Sequence, residues 1–311
     1  MLDMLHSNLI SVIVTTKDRP GNLKKCLDCI ACQSMLPKEL IIVNDGGFSI
    51  SPIVGQYKKI VPFEIKLIEL ELPVGVSVAR NLGIQAATGE YVSFCDDDDE
   101  FLPEKISTIH NYIVRELYPD LIFHRIRSVY IDEQITICSN QQMPKQLSNE
   151  ILITNFIGGV SRVICKRTLI ENVGLFDENL KSLEDWDLWI RSILNNAKVK
   201  FCNEILVNYT IATSKESLSR DINLFEYCYK YLTKKYVKEL SKLSSSELRR
   251  RIENEQRTRF RIRALARSTA PQLIRYTTRE FTDNPSINTL LLLFLSFFSL
   301  KNMLRLVSWI K

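Results

Sequence analysis

Short apolar runs alternate with amphipathic stretches along the first 120 or so residues. Leu9-Ile10-Ser11-Val12-Ile13-Val14-Thr15 is short and β-branched, which predicts a strand buried on both faces. Pro20-Gly21 then opens a helical stripe of Leu23, Cys26, Leu27, Ile30 and Ala31. Leu40-Ile41-Ile42-Val43 predicts a second strand, ending at Asn44-Asp45-Gly46-Gly47, which is turn chemistry. Ile65 to Leu70 is a third. Ser77 is positioned to cap a helix running to Ala87, closed by Thr88-Gly89. Tyr91 to Phe94 is a fourth strand, and Pro103 opens another helix at its first turn. This alternation predicts an α/β domain with a mainly parallel sheet covered by helices.

From Leu121 to Tyr209 the pattern is less regular, with Gly158-Gly159 and Val173-Gly174-Leu175-Phe176-Asp177 interrupting it. It closes on a helix from Leu183 to Leu194, in which Trp186, Trp189, Ile190 and Ile193 fall at i, i+3, i+4 and i+7. That spacing makes the tryptophans core residues rather than cofactor-stacking ones. Beyond Ser219 the composition shifts to helix formers, Lys and Arg, so a boundary is expected near residue 220.

With 311 residues, 45% hydrophobic and 25% charged, the chain can bury a large core. A net charge of +5 offers no argument for nucleic acid. The eight cysteines have no framework and Met1 to Asn8 does not read as a signal peptide, so a reduced, cytoplasmic setting is expected. Cys26, Cys29 and Cys32 have iron–sulfur spacing, but Gln33 to Pro37 follows without the fourth ligand.

Candidate chemistry begins at Tyr91-Val92-Ser93-Phe94-Cys95-Asp96-Asp97-Asp98-Asp99, an apolar run ending in four carboxylates. Such an oxygen cluster suits Mg²⁺ or Mn²⁺, which in turn suits a diphosphate; a solvated acidic loop is the plainer reading. Thr15, Asp45 and Arg80 also lie at strand ends or helix starts, and a parallel sheet would bring all of these to one rim. No G-x-G-x-x-G follows the first strand and no G-x-x-x-x-G-K-[ST] occurs.

Five stretches, taken in order, resemble the family 2 inverting glycosyltransferases of GT-A fold. They are Val12 to Arg19, Ile42 to Gly47, Ala79-Arg80-Asn81-Leu82-Gly83, Thr88 to Phe94 with its acids, and Glu184-Asp185-Trp186-Asp187-Leu188-Trp189. The resemblance covers residues 9 to 215. It implies a GT-A catalytic domain over 1–220, with a Rossmann-like nucleotide-sugar half to about 125 and an acceptor half over 126–220, followed by a helical appendage over 221–311. Asp45 looks like the acid that accepts the pyrimidine N–H of a UDP- or dTDP-sugar; its alternative is a turn cap. Thr15 and Arg80 look like further nucleotide contacts. The D-x-D match makes Asp98 a metal ligand for Mg²⁺ or Mn²⁺, with Asp96 and Asp97 near ribose or sugar and the register open by one.

Asp185 matches the general base, with Glu184 in reserve. Ser182 is expected to cap its helix, and the neighbouring apolar face is expected to raise its pKa. The implied reaction is inverting transfer of a hexosyl unit to a glycan or lipid-linked acceptor, as in polysaccharide biosynthesis. No histidine follows Ile205-Leu206-Val207-Asn208-Tyr209, where family members often carry a histidine or arginine; Lys215 or Arg220 could supply that charge. Q-x-x-R-W is missing, which favours single additions. A nucleotidyltransferase and a non-catalytic nucleotide-sugar or membrane scaffold are the competing readings.

The tail carries Arg249, Arg250, Arg251, Arg257, Arg259, Arg261, Arg263 and Arg267 against Glu253 and Glu255, then an apolar run from Ile287 to Leu300. That run is too short to span a bilayer, which takes about 20 apolar residues. An interfacial segment on the inner face of the cell membrane is expected, with packing on protein as the alternative.

Overall fold

The computed structural model describes residues 9–214, 220–266, 270–283 and 285–310. Met1 to Asn8, Lys215 and Arg267, each of which carried an expectation, lie outside them.

In chain order the first half runs β1 (Ile10–Thr16), α1 (Pro20–Ala31), β2 (Glu39–Asn44), α2 (Ser51–Tyr57), β3 (Glu64–Glu69), α3 (Val76–Ala86) and β4 (Tyr91–Asp96). There follow β5 (Glu100–Phe101), α4 (Lys105–Arg115), β6 (Leu121–Tyr130), β7 (Ile135–Cys138), α5 (Leu147–Ile153), a 3-10 turn (Val160–Arg162), β8 (Val163–Lys166), α6 (Arg167–Asn172), α7 (Glu184–Leu194) and β9 (Val199–Ile211). Among the described residues six helices follow: α8 (Ile222–Lys235), α9 (Val237–Leu240), α10 (Ser245–Leu265), α11 (Ala270–Asp283), α12 (Ile287–Leu295) and α13 (Leu300–Ile310).

One sheet runs β3-β2-β1-β4-β8-β6-β9-β5, with β7 beside β6. The first four strands are mutually parallel, and β8 enters antiparallel between β4 and β6. Alternation along β1 divides the core in two. Ile10, Val12 and Val14 pack with Leu23, Leu27 and Ile30 of α1, while Ile13 packs with Ala79 and Ile84 of α3. Burying both faces explains why these strands are apolar throughout. The mainly parallel sheet flanked by helices is as expected.

Three local expectations are corrected. Ser77 does not cap α3: the cap is Gly75 (φ 95°), and buried Ser77 instead donates to Leu180 O at 2.8 Å. Pro103 stands in the turn before α4, whose cap is Glu104. Ser182 does not cap α7 either; that place falls to Leu183, with a left-handed backbone (φ 61°) and no side-chain cap. The physical cause is common to α3 and α7, since each starts from a loop whose path is fixed by tertiary contacts rather than by its own cap.

Beyond residue 220 the hydrophobic packing runs on without a break. Phe225, Cys228, Tyr229 and Leu232 of α8 and Ile262 of α10 join the cluster that includes Trp186 and Trp189. A separate small cluster joins Phe260 and Ala264 at the end of α10 to Leu273, Leu292 and Met303 of α11–α13. Much of the arginine-rich segment is already engaged. Arg251 stacks over Trp186 and Tyr229, Arg250 pairs with Glu150, and Arg259 with Glu255.

Candidate active site

The carboxyl ends of the parallel strands form one rim. Thr15 of β1 stands in register with Val43 of β2 and Asp96 of β4, and Thr16 with Asn44. Asp45, immediately after β2, therefore comes to the same edge as Thr15 and Asp96. The turn that carries Asp45 needs its glycines. Gly46 and Gly47 have φ of 79° and 87°, and a Cβ on Gly46 would stand 2.8 Å from Pro73 N. The Asp45 carboxylate is buried and accepts from Val74 N–H at 2.6 Å and Gly75 N–H at 3.0 Å. It thus fixes the loop entering α3, much as a turn-capping Asp does.

From α3, Arg80 reaches the centre of the rim. Its guanidinium donates to Asp96 Oδ1 at 2.7 Å and to Glu184 Oε1 at 2.6 Å, with only 5% of the side chain exposed. Burial alone would lower its pKa, but the two carboxylates outweigh it and raise it. The motif around it is structural. Ala79 is buried, and a Cβ on Gly83 would stand 2.5 Å from Ile13 Cγ2. Asn81 exchanges hydrogen bonds with the backbone of Phe176, whose ring lies under Arg80.

The four aspartates divide by alternation. Asp97 turns inward, where it accepts from Thr16 Oγ1 at 2.6 Å. Arg19 Nη2 stands 3.1 Å from its other oxygen, a charge contact without hydrogen-bond alignment. Burial pushes the Asp97 carboxyl up to about 6, with Arg19 and Thr16 pulling it back. Asp99 is also buried, and burial and the Asp96 charge raise its pKa; Thr210 N–H donates to it at 3.2 Å. Asp96 and Asp98 face the rim, their side chains 31% and 42% exposed. Behind the run, buried Lys105 donates to Ser161 O at 2.6 Å while Ser161 Oγ accepts from Asp96 N–H.

Asp185 enters from α7. Trp186 and Trp189 are buried, as the spacing predicted, and their indoles donate to Ile151 O and Gly158 O at 2.7 and 2.8 Å. Asp187, fully buried, holds Arg191, Lys235 and Tyr236. These anchors leave Glu184 on Arg80 and Asp185 half-buried, accepting at its Oδ1 from Trp186 N–H at 2.6 Å. A Cβ on Gly159 would stand 3.9 Å from Asp185 Oδ2, ordinary van der Waals contact, which places the Gly158-Gly159 loop beside that carboxylate. Burial first, and the Glu184 charge second, push the Asp185 carboxyl up to about 7.

Of the residues singled out from sequence, Thr15, Asp45, Arg80, Asp96, Asp98 and Asp185 come to one region, and Arg80 joins the β4 and α7 contributions directly. Asp97 points away from the rim, toward Thr16 and Arg19. Glu184 is neutralised by Arg80, which makes it a poor reserve base. Sequence reading missed Thr16, Arg19, Ser161 and Lys105; only the Gly158-Gly159 doublet signalled that the chain passes close to the site there.

The donor set has the chemistry of a partial hard-cation site. Asp96 and Asp98 offer two oxygen-bearing side chains, and among the described residues no group of three or more His, Cys, Asp or Glu converges to hold a metal by itself. That fits Mg²⁺ or Mn²⁺ of the kind whose remaining positions are filled by a substrate diphosphate and water.

Residues 11–167 match the profile described as "Glycosyl transferase family 2". The "uncharacterized glycosyltransferase" of Haemophilus influenzae is 27% identical over 74% of this chain and 78% of its own length. The "uncharacterized glycosyltransferase YwdF" of Bacillus subtilis is 28% identical over 68% and 78%. Among solved structures, Staphylococcus aureus TarS 1-349 in complex with UDP-GlcNAc has a TM-score of 0.56 at 20% identity, covering 92% of this chain and 79% of that one. The chain spans 49% of a longer TarS chain. At such identity the likeness establishes a shared fold.

Proposed function

Because the chain belongs to glycosyltransferase family 2 and is a glycosyltransferase, we propose that it moves a hexosyl unit from a UDP-sugar to a glycan or lipid-linked acceptor by a single inverting displacement. Asp185 carries the reading. It is a desolvated carboxylate with a pKa near 7, one residue from the Glu184–Arg80–Asp96 link that ties it to the acidic rim. A general base works best when its pKa lies near the working pH. A structural neighbour, TarS 1-349, was crystallised with UDP and with UDP-GlcNAc, which supports a uridine donor here.

In this mechanism Asp45 and Thr15 position the base and ribose. The bonds from Val74 and Gly75 N–H hold the Asp45 carboxylate in place and leave it acceptor capacity for a pyrimidine N–H. Arg80 holds the Asp96 carboxylate in place for the sugar side. Asp98, with Asp96, would hold Mg²⁺ or Mn²⁺; when bound, the cation offsets negative charge on the diphosphate. Asp185 takes the proton from the acceptor hydroxyl as that oxygen attacks the anomeric carbon. The bond to the diphosphate breaks with its electron pair leaving on UDP, and the anomeric centre inverts.

The test is a nucleotide-sugar screen by thermal shift with and without Mn²⁺, followed by NMR of the transferred anomer. A UDP-sugar that stabilises the protein only with Mn²⁺, and a product of opposite anomeric configuration, are expected. Stabilisation by nucleoside triphosphates instead, or a product with retained configuration, would overturn the reading.

A further inference from the structure

Helix α12 is amphipathic in the wrong sense for a helix facing water. Its inward side carries polar groups: Asn288 and Thr289 are buried, as is Ser296 just past its end, together with buried Leu292 and partly buried Leu295. Asn288 accepts from Arg257 Nε at 2.6 Å, and Thr277 of α11 donates to Ser296 Oγ at 3.1 Å. Its outward side carries Ile287, Leu290, Leu291 and Phe294, continued by Phe297, each between 47% and 88% exposed. Positions 287, 290, 291, 294 and 297 follow the i, i+3, i+4, i+7 rhythm of one helical face. A contiguous exposed stripe of large apolar side chains marks an interaction surface.

The charge pattern selects the occupant. Residues 284 to 311 contain no Asp or Glu but include Lys301, Arg305 and Lys311, and Lys301 and Arg305 are exposed. A protein partner would have to match an apolar face on a segment whose charges, from Asn284 onward, are all cationic, whereas an anionic lipid surface does so by composition. Insertion through the bilayer is a different matter. Among the described residues no helix is long and apolar enough to cross a membrane, and the nine residues of α12 extend only about 14 Å. The interfacial contact expected from sequence took in the arginine-rich segment together with the apolar run; α10 spends Arg250, Arg251 and Arg259 on intramolecular contacts, which leaves the apolar run.

We propose that the exposed apolar face of α12 beds into the headgroup and upper acyl layer of an anionic membrane, with Lys301 and Arg305 of α13 at the phosphates. This goes beyond the donor chemistry and does not depend on it.

The full-length chain is sedimented with sucrose-loaded vesicles of 70% phosphatidylcholine and 30% phosphatidylglycerol, and with pure phosphatidylcholine, at low and high salt. Wild type is expected to co-sediment with the anionic vesicles and much less with the neutral ones. L290Q/F294Q/F297Q should lower the partition about 100-fold or more, because each large side chain loses its apolar burial. K301E should lower it about fivefold, on anionic vesicles and at low salt only. The substituted side chains are exposed, and a thermal melt equal to wild type verifies that each variant folds; should the triple variant melt early, F294Q alone and K301E carry the test. Equal sedimentation of wild type and variants would overturn the proposal. So would a wild-type dimer that the triple substitution dissolves in the absence of vesicle binding, since a second copy would then cover the face.

Discussion

Two regions of the molecule carry adjacent carboxylates, and they separate them by different geometry. After β4, a turn closed by Asp99 N–H to Asp96 O at 2.9 Å sends Asp96 and Asp98 to the rim and Asp97 and Asp99 inward. At the start of α7, the helical turn puts Glu184 on Arg80 and leaves Asp185 with its neighbour's N–H. Arginines reach into both places: Arg19 stands 3.1 Å from Asp97 and donates to Asp98 at 3.2 Å, and Arg80 joins Asp96 to Glu184, whereas Asp185 takes its hydrogen bond from the Trp186 backbone. The difference lies in solvent. Asp98 is the more open, suited to meeting a hydrated cation, whereas Asp185 is desolvated and suited to taking a proton. Runs of identical charge are thus sorted by secondary structure into supports and reagents.

That contrast can be broken most severely at α7. D185N is expected to lower kcat by about a thousandfold, within the usual range for loss of a general base, with UDP binding by calorimetry unchanged. E184Q should retain most of kcat but bind donor less well, because Arg80 loses one of its two partners. Equal losses in the two variants would erase the distinction between held and working acid.

R80M comes next. It strands Asp96 and Glu184 beside a buried site, and a loss of about 3 kcal/mol in denaturant unfolding is expected for a broken buried ion pair. R80K should recover part of the stability but little of the geometry, since one ammonium cannot fork between two carboxylates.

The pH dependence sharpens the contrast further. With Asp185 raised to about 7, kcat should climb through pH 7 and level off above it. The same shift fixes the sign for stability. The folded state favours the protonated carboxyl, so its contribution is full below about pH 4, the unfolded value, and is lost as pH rises through 7. D185N should therefore melt higher than wild type at pH 8, with the gap closing toward pH 4. A melt difference independent of pH would remove the desolvation argument. The smallest effect is expected at T16V, which leaves Asp97 short of one hydrogen bond at a cost of about 1 kcal/mol and little change in kcat.

The parallel half-sheet was legible because strands buried on both faces are written as unbroken apolar runs, and Leu40 to Val43 or Tyr91 to Phe94 admit no other reading. That Asp45, Arg80, Asp98 and Asp185 come to one region followed from ordered motifs at strand ends and helix starts. Cap positions were not: Gly75 and Leu183 start their helices because of contacts made far along the chain, as when Ser77 meets Leu180. Thr16 and Ser161 were hidden for the same reason, their roles lying in pairs separated by 81 and 65 residues. The inverted face of α12 was hidden too, since hydropathy alone does not say which side of a helix looks inward.

The division of the aspartate run is tested most directly by titrating UDP into D98N and D97N with and without Mn²⁺. The account predicts that D98N loses the Mn²⁺-dependent gain in affinity, about tenfold or more for one lost ligand in the order of known ligand-shell effects, while D97N keeps it. Loss in D97N with retention in D98N would contradict it.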